Sequence, residues 1–410
     1  MPLIPFRQSE DPRMSADPPL VTRAFVLICL ATLLFYLSFY LILPVMPLYV
    51  ASLGGTPIQL GLIIGLFSSM AMVVRPPAGW IIDTRGSRQV LVAGMVVFFL
   101  ASLGYVLVRS VEGILALRVF HGLGMGLFPT AATVIVAELA PLARRGEAMG
   151  WFGIANSAGL IVGPILGPAL ASGIGYPALF LVAAGVALLG CVCLLLTPSP
   201  PRLASRVRGL PSLRDLYSRD ALLPSAILLC LYMPYGIMVA FIPVIAVGRG
   251  LSNPGFYYTA FAVAMLLIRG WAGRLSDRFG RAAVILPGML LASVGYLVLG
   301  LTSGVVGVLV GGAIYGLSFG IVQPALMALT TDMVPASERG KAMGTFYFAW
   351  ELGIASGSTG AGLLLNLIDF SVMLLLSAAI PLAGAALSLR ARSVALPESR
   401  AGVPCVSSRF

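Results

Sequence analysis

Twelve apolar runs, each 20 or more residues long, follow one another along this chain of 410 residues. They fall at about 24–50, 57–82, 89–108, 112–138, 146–171 and 176–196 and, after a polar stretch, at about 221–247, 254–276, 282–302, 305–332, 340–366 and 371–390. A helix needs about 20 apolar residues to cross a bilayer, and about 25 with tilt and ends. Twelve such spans use roughly 300 residues, leaving roughly 110 for two tails, a central loop and short turns. Charged residues make up 10% of the chain and apolar residues 59%. A soluble domain carries roughly 25% charge and uses it to cover its surface. The expected fold is an all-α membrane protein of twelve transmembrane helices, called spans 1 to 12 below.

The formal net charge of +11 would suggest nucleic acid in a soluble chain. Here topology explains it. With the N-terminus cytoplasmic, Arg109 and Arg249 fall outside, Arg75, Arg118 and Arg269 fall within spans, and the other 21 of the 26 basic residues are cytoplasmic. That is the positive-inside pattern, and it puts both termini in the cytoplasm. No basic stripe is interleaved with exposed aromatics, so nucleic-acid binding is not expected. The expected organisation is a cytoplasmic tail (1–23), a first six-helix bundle (24–196), a cytoplasmic loop (197–220), a second bundle (221–390) and a second tail (391–410). Four of the five cysteines (Cys29, Cys191, Cys193, Cys230 and Cys405) lie in apolar runs without histidine partners, so neither a disulfide framework nor a metal site follows. Glu10, Asp11, Asp17 and several prolines precede a first run too long for a signal peptide. Lys341 is the only lysine, a bias toward Arg that suggests a GC-rich bacterial genome and hence an inner (plasma) membrane.

The two halves repeat. Shifted by 194 residues, Arg75-Pro-Pro-Ala-Gly79-Trp-Ile-Ile-Asp83 lies on Arg269-Gly-Trp-Ala-Gly273-Arg-Leu-Ser-Asp277. The same shift puts Pro141 on Pro335, Arg145-Gly146 on Arg339-Gly340 and Ala148-Met149-Gly150 on Ala342-Met343-Gly344. Several such matches in order imply two pseudo-symmetric six-helix bundles in the same orientation, an architecture that places a substrate cavity between the halves near the midplane.

The element Gly79-xxx-Asp83-Thr-Arg85-Gly86-Ser-Arg88, with its second copy Gly273-xxx-Asp277-Arg278-Phe-Gly280-Arg281, resembles the loop 2–3 motif of the major facilitator superfamily. The first copy departs from it at Ser87, where the family usually has a basic residue. Arg118-Val-Phe-His121-Gly122 resembles the helix 4 motif, with His121 in place of the more usual Gln. Gly159-xxx-Gly163-Pro164-xx-Gly167-Pro168 resembles the helix 5 motif associated with antiporters, with Pro168 replacing its last Gly. Leu37-Ser38 and Pro44-Val45-Met46-Pro47 resemble the helix 1 signature of twelve-span drug exporters. The resemblance implies a latch that closes the cytoplasmic side, in which Asp83 and Asp277 pair with the arginines that follow them or those arginines pair with Glu138 and Asp332. A positive loop that only fixes topology is the alternative. Gly159, Gly163 and Gly167 share one helix face and are expected to allow close contact across the halves, while Pro164 and Pro168 bend the helix. Ordinary small-residue packing would use the same residues.

Charges inside spans cost roughly 2.5–3.5 kcal/mol each on insertion scales and are usually retained for function. Arg75, Arg118, His121, Arg269 and Glu351 are the candidates for substrate or proton handling. Glu351 is the carboxyl set deepest in a span, and its repeat mate is Ser157. By the resemblance, span 2 meets span 11 across the halves, so Arg75 and Glu351 pair when the cytoplasmic side is closed. The pair is either a proton-driven switch or a static neutralisation. Tyr36, Tyr40, Asn156, Tyr232, Tyr235, Gln323, Phe346 and Trp350 are candidate cavity residues, equally suited to core packing. Gly316-Leu-Ser318-Phe-Gly320 matches the hydrolase G-x-S-x-G pattern but lies within a helix, and no P-loop is present, so no enzyme activity is expected. The expected function is secondary transport: proton-coupled efflux of a small amphipathic molecule by alternating access. It needs no cofactor beyond the proton gradient, and its partners are substrate, protons and the lipid bilayer around a monomer. The alternatives are a proton-coupled importer of an organic anion and a transporter-like receptor.

Overall fold

The structure, a computed structural model, describes residues 20–141, 144–198, 218–335 and 338–394. The tails, most of the central loop and the side chain of Asp277 lie outside the described residues. Fourteen helices are present among them, and no strand. Span 1 is α1 (Arg23–Ile42) followed by α2 (Met46–Ser52). Spans 2 to 6 are α3 (Pro57–Arg85), α4 (Ser87–Leu107), α5 (Val111–Leu139), α6 (Arg145–Ile174) and α7 (Tyr176–Leu196). Spans 7 to 11 are α8 (Leu222–Gly248), α9 (Gly255–Phe279), α10 (Arg281–Leu301), α11 (Val305–Asp332) and α12 (Arg339–Leu364). Span 12 is α13 (Phe370–Ser377) with α14 (Ala379–Val394).

Local chemistry sets the breaks. Pro44 has no N–H to continue α1, and Pro47 sits in the first turn of α2, where a missing N–H is harmless. Thr56 and Gln59 form a capping box that starts α3, and Ser110 and Asp369 cap α5 and α13. Gly86 and Gly280, repeat mates, are one-residue links between consecutive helices at φ +96° and +88°. An L side chain is strained there, so the turn requires glycine. Where a proline frees a carbonyl one turn back, a tyrosine can take it up: Pro243 leaves the Val239 carbonyl free, and the Tyr258 hydroxyl donates to it at 3.5 Å. Ten spans are apolar and long enough to cross a membrane unaided. The other two are α9, diluted by Arg269, and α12, diluted by Glu351 and many small residues.

Packing repeats as the sequence does. In the first half α3 packs on α5, α4 on α5, α1 on α6 and α7, and α4 on α7. Their mates α9 on α11, α10 on α11, α8 on α12 and α14, and α10 on α14 form the second half. Glycine lets these helices touch backbone to backbone. A Cβ at Gly122 or Gly126 would meet the carbonyls of Phe67 or Ala71, and at the mates Gly316 or Gly320 those of Phe261 or Met265. The G-x-S-x-G match is thus a pair of helix-packing glycines, and its Ser318 is buried and donates to the Gly288 carbonyl at 2.7 Å.

The halves meet through α3 on α12 and its mate α6 on α9. The expectation for the helix 5 glycines is corrected here. Gly159, Gly163 and Gly167 pack on Tyr36, Tyr40 and Leu41 of α1, inside the first half. Their mates Gly353 and Gly357 do the same against α8 at Tyr232 and Met233. What crosses the halves is the backbone freed by the prolines. Pro168 cannot donate to the Pro164 carbonyl, and Gly255 of α9 packs against that oxygen. Beside it, the Asn253 amide donates to the Ile165 carbonyl at 3.0 Å.

Candidate functional site

A cavity of about 1050 Å³ lies between the halves. Its wall draws Tyr36 and Tyr40 from α1, Arg75 from α3, Arg118 from α5, Asn156 from α6, Tyr235 from α8, Gln323 from α11, and Tyr347, Trp350 and Glu351 from α12. The helix ends near Arg85, Arg145, Arg281 and Arg339 form a basic end, and the opposite ends, near residues 53–56 and 365–369, form a far end. At the far end the halves are in contact: Gly61 lies against the Ser358 carbonyl, and a Cβ at Gly362 would come 2.7 Å from the Pro57 carbonyl. Toward the basic end, a Cβ on Gly79, Gly273 or Gly340 would meet nothing within 4 Å, and Gly79 and Gly340 line the cavity. The cavity is closed at the far end and open at the basic end.

Two charged points mark its wall. Arg75 Nη2 donates to Glu351 Oε1 at 2.5 Å, joining α3 to α12 across the halves. The Arg75 guanidinium also faces the Tyr347 ring at 5.7 Å, and its side chain is 23% exposed against 5% for Glu351. Expectation and structure differ on the state. The pair exists with the basic end open, so α3 and α12 still approach each other at the level of Arg75 and Glu351. The second point is Arg118, fully buried, with Nε donating to the Ile63 carbonyl at 2.7 Å and its guanidinium 4.5 Å above the Phe67 ring. Arg269, the mate of Arg75, is exposed and donates to Gln323 at 2.9 Å, reaching the cavity only through that amide.

Other expected residues lie elsewhere. His121 does not line the cavity. It is buried among Phe67, Phe98 and Tyr105, with the Tyr105 hydroxyl 3.2 Å from Nδ1. Its mate Tyr315 is likewise a buried ring, so this is a core position of the repeat. Tyr232 and Phe346 sit behind the wall; Tyr232 packs on Trp350 at 4.2 Å. Tyr347, on the adjacent turn of α12, lines the cavity instead, as does Phe67, which supports Arg118. Both look like ordinary span residues in the sequence, and only their neighbours single them out.

The loop motif residues gather at the basic end. Asp83 and Arg85 are exposed at the end of α3, and Ser87 donates to Glu138 at 3.3 Å. Arg88 donates to the carbonyls of Thr197 and Leu194, at 2.6 and 3.4 Å. In the second copy Arg278 is exposed, and Arg281 pairs with Asp332 at 3.2 Å. Gly79 and Gly273 face open space, not a neighbouring helix.

Two six-helix bundles around a central cavity, built on a parallel repeat, define the class: a multi-pass membrane transporter. The sequence profile of the Major Facilitator Superfamily matches residues 28–269 and 254–404, and the chain belongs to that family. It is similar to the uncharacterized MFS-type transporter MJ1560 of Methanocaldococcus jannaschii, at 26% identity over 82% of this chain and 90% of that protein. The uncharacterized MFS-type transporter YhhS of Escherichia coli K12 is 28% identical over 84% of this chain and 86% of that protein. Among solved structures, a bacterial homologue of the human lysosomal transporter Spinster, inward-facing and occupied, superposes with a TM-score of 0.78 at 15% identity, covering 92% of this chain and 98% of that one. The family is one of non-enzymatic transporters, which fits the packing role of Gly316 and Gly320.

Proposed function

We propose that the chain is a proton-coupled exporter of small amphipathic molecules working by alternating access. The observation that carries the reading is the Arg75–Glu351 pair, which bridges the halves on the cavity wall at 2.5 Å. By the positive-inside rule the basic end is cytoplasmic, so the cavity takes its cargo from the cytoplasm. With Glu351 ionised, the pair ties α3 to α12 in this inward-open form. Protonation removes that attraction and frees the halves to rearrange. Exchange follows when cargo bound from the cytoplasm displaces the pair on the outward step. A proton taken up on the outward side keeps it broken on the return and is released inward, where the pair re-forms. Export is supported by the span 1 and span 5 motifs, which resemble those of exporters. The test uses inverted membrane vesicles energised to acid inside. Adding a transported compound from a panel of amphiphiles should dissipate the pH gradient. A gradient left unchanged by every compound, or uptake with protons into right-side-out vesicles, would sink the reading.

The exposed acid of the loop motif belongs to the same cycle. In the outward-open form the basic ends must close, and Asp83 is placed at the end of α3 to join that closure. Asp83→Asn is expected to slow transport several-fold at equal membrane abundance. Unchanged flux would reduce the motif to topology.

A further inference from the structure

The two terminal nitrogens of Arg118 are buried and make no hydrogen bond. The Tyr105 hydroxyl lies close to the same guanidinium, but its hydrogen-bond geometry is met with His121 Nδ1, at 3.2 Å, and not with either terminal nitrogen of Arg118. An arginine held this way, fully buried and at the wall of a large cavity, is short of two acceptors and one negative charge.

Among the described residues the protein does not supply that charge. The carboxylate on the cavity wall is Glu351, which is taken by Arg75. Arg118 is pinned at the depth of Ile63, and Arg75 lies twelve residues further along α3, roughly 18 Å at 1.5 Å per residue. Nor does the fold require the guanidinium. The mate of Arg118 under the repeat is Gly312, where a Cβ would meet the Tyr257 ring. Only the first half carries the cation, as expected of a feature that serves a ligand rather than the shared architecture.

We infer that Arg118 is the head-group site of the cavity and binds the carboxylate of an amphipathic monoanion, whose apolar body lies along the aromatic wall. The inference rests on reading the cavity as the transport site. Two parallel N–H donors match a carboxylate in a bidentate grip. One buried cation on the wall favours one negative charge over two. Glu351 neutralises Arg75, and Arg269, bonded only to the neutral Gln323 amide, is exposed nearer the basic end and does not line the cavity. Phe67 lies under the guanidinium, and the cavity wall also carries Tyr40, Leu43, Ile64 and Val239, which suits an aryl or alkyl chain.

The test compares three probes that share a phenylbutyl body: 4-phenylbutyrate, its amide and the corresponding trimethylammonium ion. Binding to the purified full chain in nanodiscs is read by calorimetry. The wild-type protein should bind the carboxylate about tenfold or more tightly than the amide and should not bind the cation. Arg118→Gln should erase the carboxylate's advantage while leaving the amide unchanged, and Arg118→Lys should restore part of it. Equal affinity for carboxylate and amide, no carboxylate binding, or a preference for the cation overturns the inference on wild-type protein alone, whether or not the variants fold. Because binding is measured without a gradient, carboxylate binding without proton-linked flux would leave the Arg118 site standing and remove the exporter reading instead.

Discussion

Glu351→Gln is expected to abolish proton-driven accumulation while leaving substrate exchange at equal concentrations intact. In proteoliposomes a one-to-one exchanger converts each unit of pH gradient, 1.36 kcal/mol, into about tenfold accumulation. The variant should show none, because glutamine copies the protonated acid and can no longer change charge. The competing account is a static pair that only neutralises two charges in the membrane. Removing one partner of a buried pair costs about 3–5 kcal/mol, less here because the Arg75 side chain is 23% exposed. The double variant Arg75→Gln/Glu351→Gln separates the two. It relieves the orphaned charge, so a static pair predicts recovered accumulation and a switch predicts none. Recovery of gradient-driven transport in the double variant would falsify the coupling role.

The second large effect comes from glycines that look alike in sequence but sit in different kinds of contact. Gly61 of α3 meets the Ser358 carbonyl across the halves, whereas Gly167 of α6 meets the Leu41 carbonyl within one half. The first contact exists only while the far end is closed; the second persists through a rocking motion of rigid bundles. Gly61→Leu should therefore fold, lose transport and populate the form open at the far end. An overpacking penalty of about 2 kcal/mol corresponds to roughly a 30-fold change in that balance. Spin-label distances between the far ends of α3 and α12 would lengthen. Gly167→Leu should instead lower the yield of monodisperse protein severely. If Gly61→Leu keeps the far end closed, or collapses as Gly167→Leu does, the far-end contact is not a gate.

The same glycines show why one expectation failed. Gly159, Gly163 and Gly167 were read as facing the other half, yet Gly353 and Gly357 repeat them. A feature present in both copies serves a contact that both copies make, which here is α6 on α1 and α12 on α8. Pro164 and Pro168 have no such mates, and it is their freed backbone that meets α9 across the halves. The repeat thus held the answer. His121 could have been placed by the same reasoning, since its mate Tyr315 marks a core position.

Sequence alone determined the twelve spans, the two bundles and the charged residues within them, because bilayer thickness fixes run length and water-free burial makes every charge conspicuous. It also brought Arg75 and Glu351 together, through the repeat and the family resemblance. Tertiary structure decided which end of the cavity is open, that this pair forms with the basic end open, and that the terminal nitrogens of Arg118 lack an acceptor while His121 is sealed from the cavity. The reason is geometric. A span that is apolar nearly all round carries little record of which face meets a neighbour, a cavity or lipid. That choice is made only when helices from both halves pack and leave one face of each without a protein neighbour.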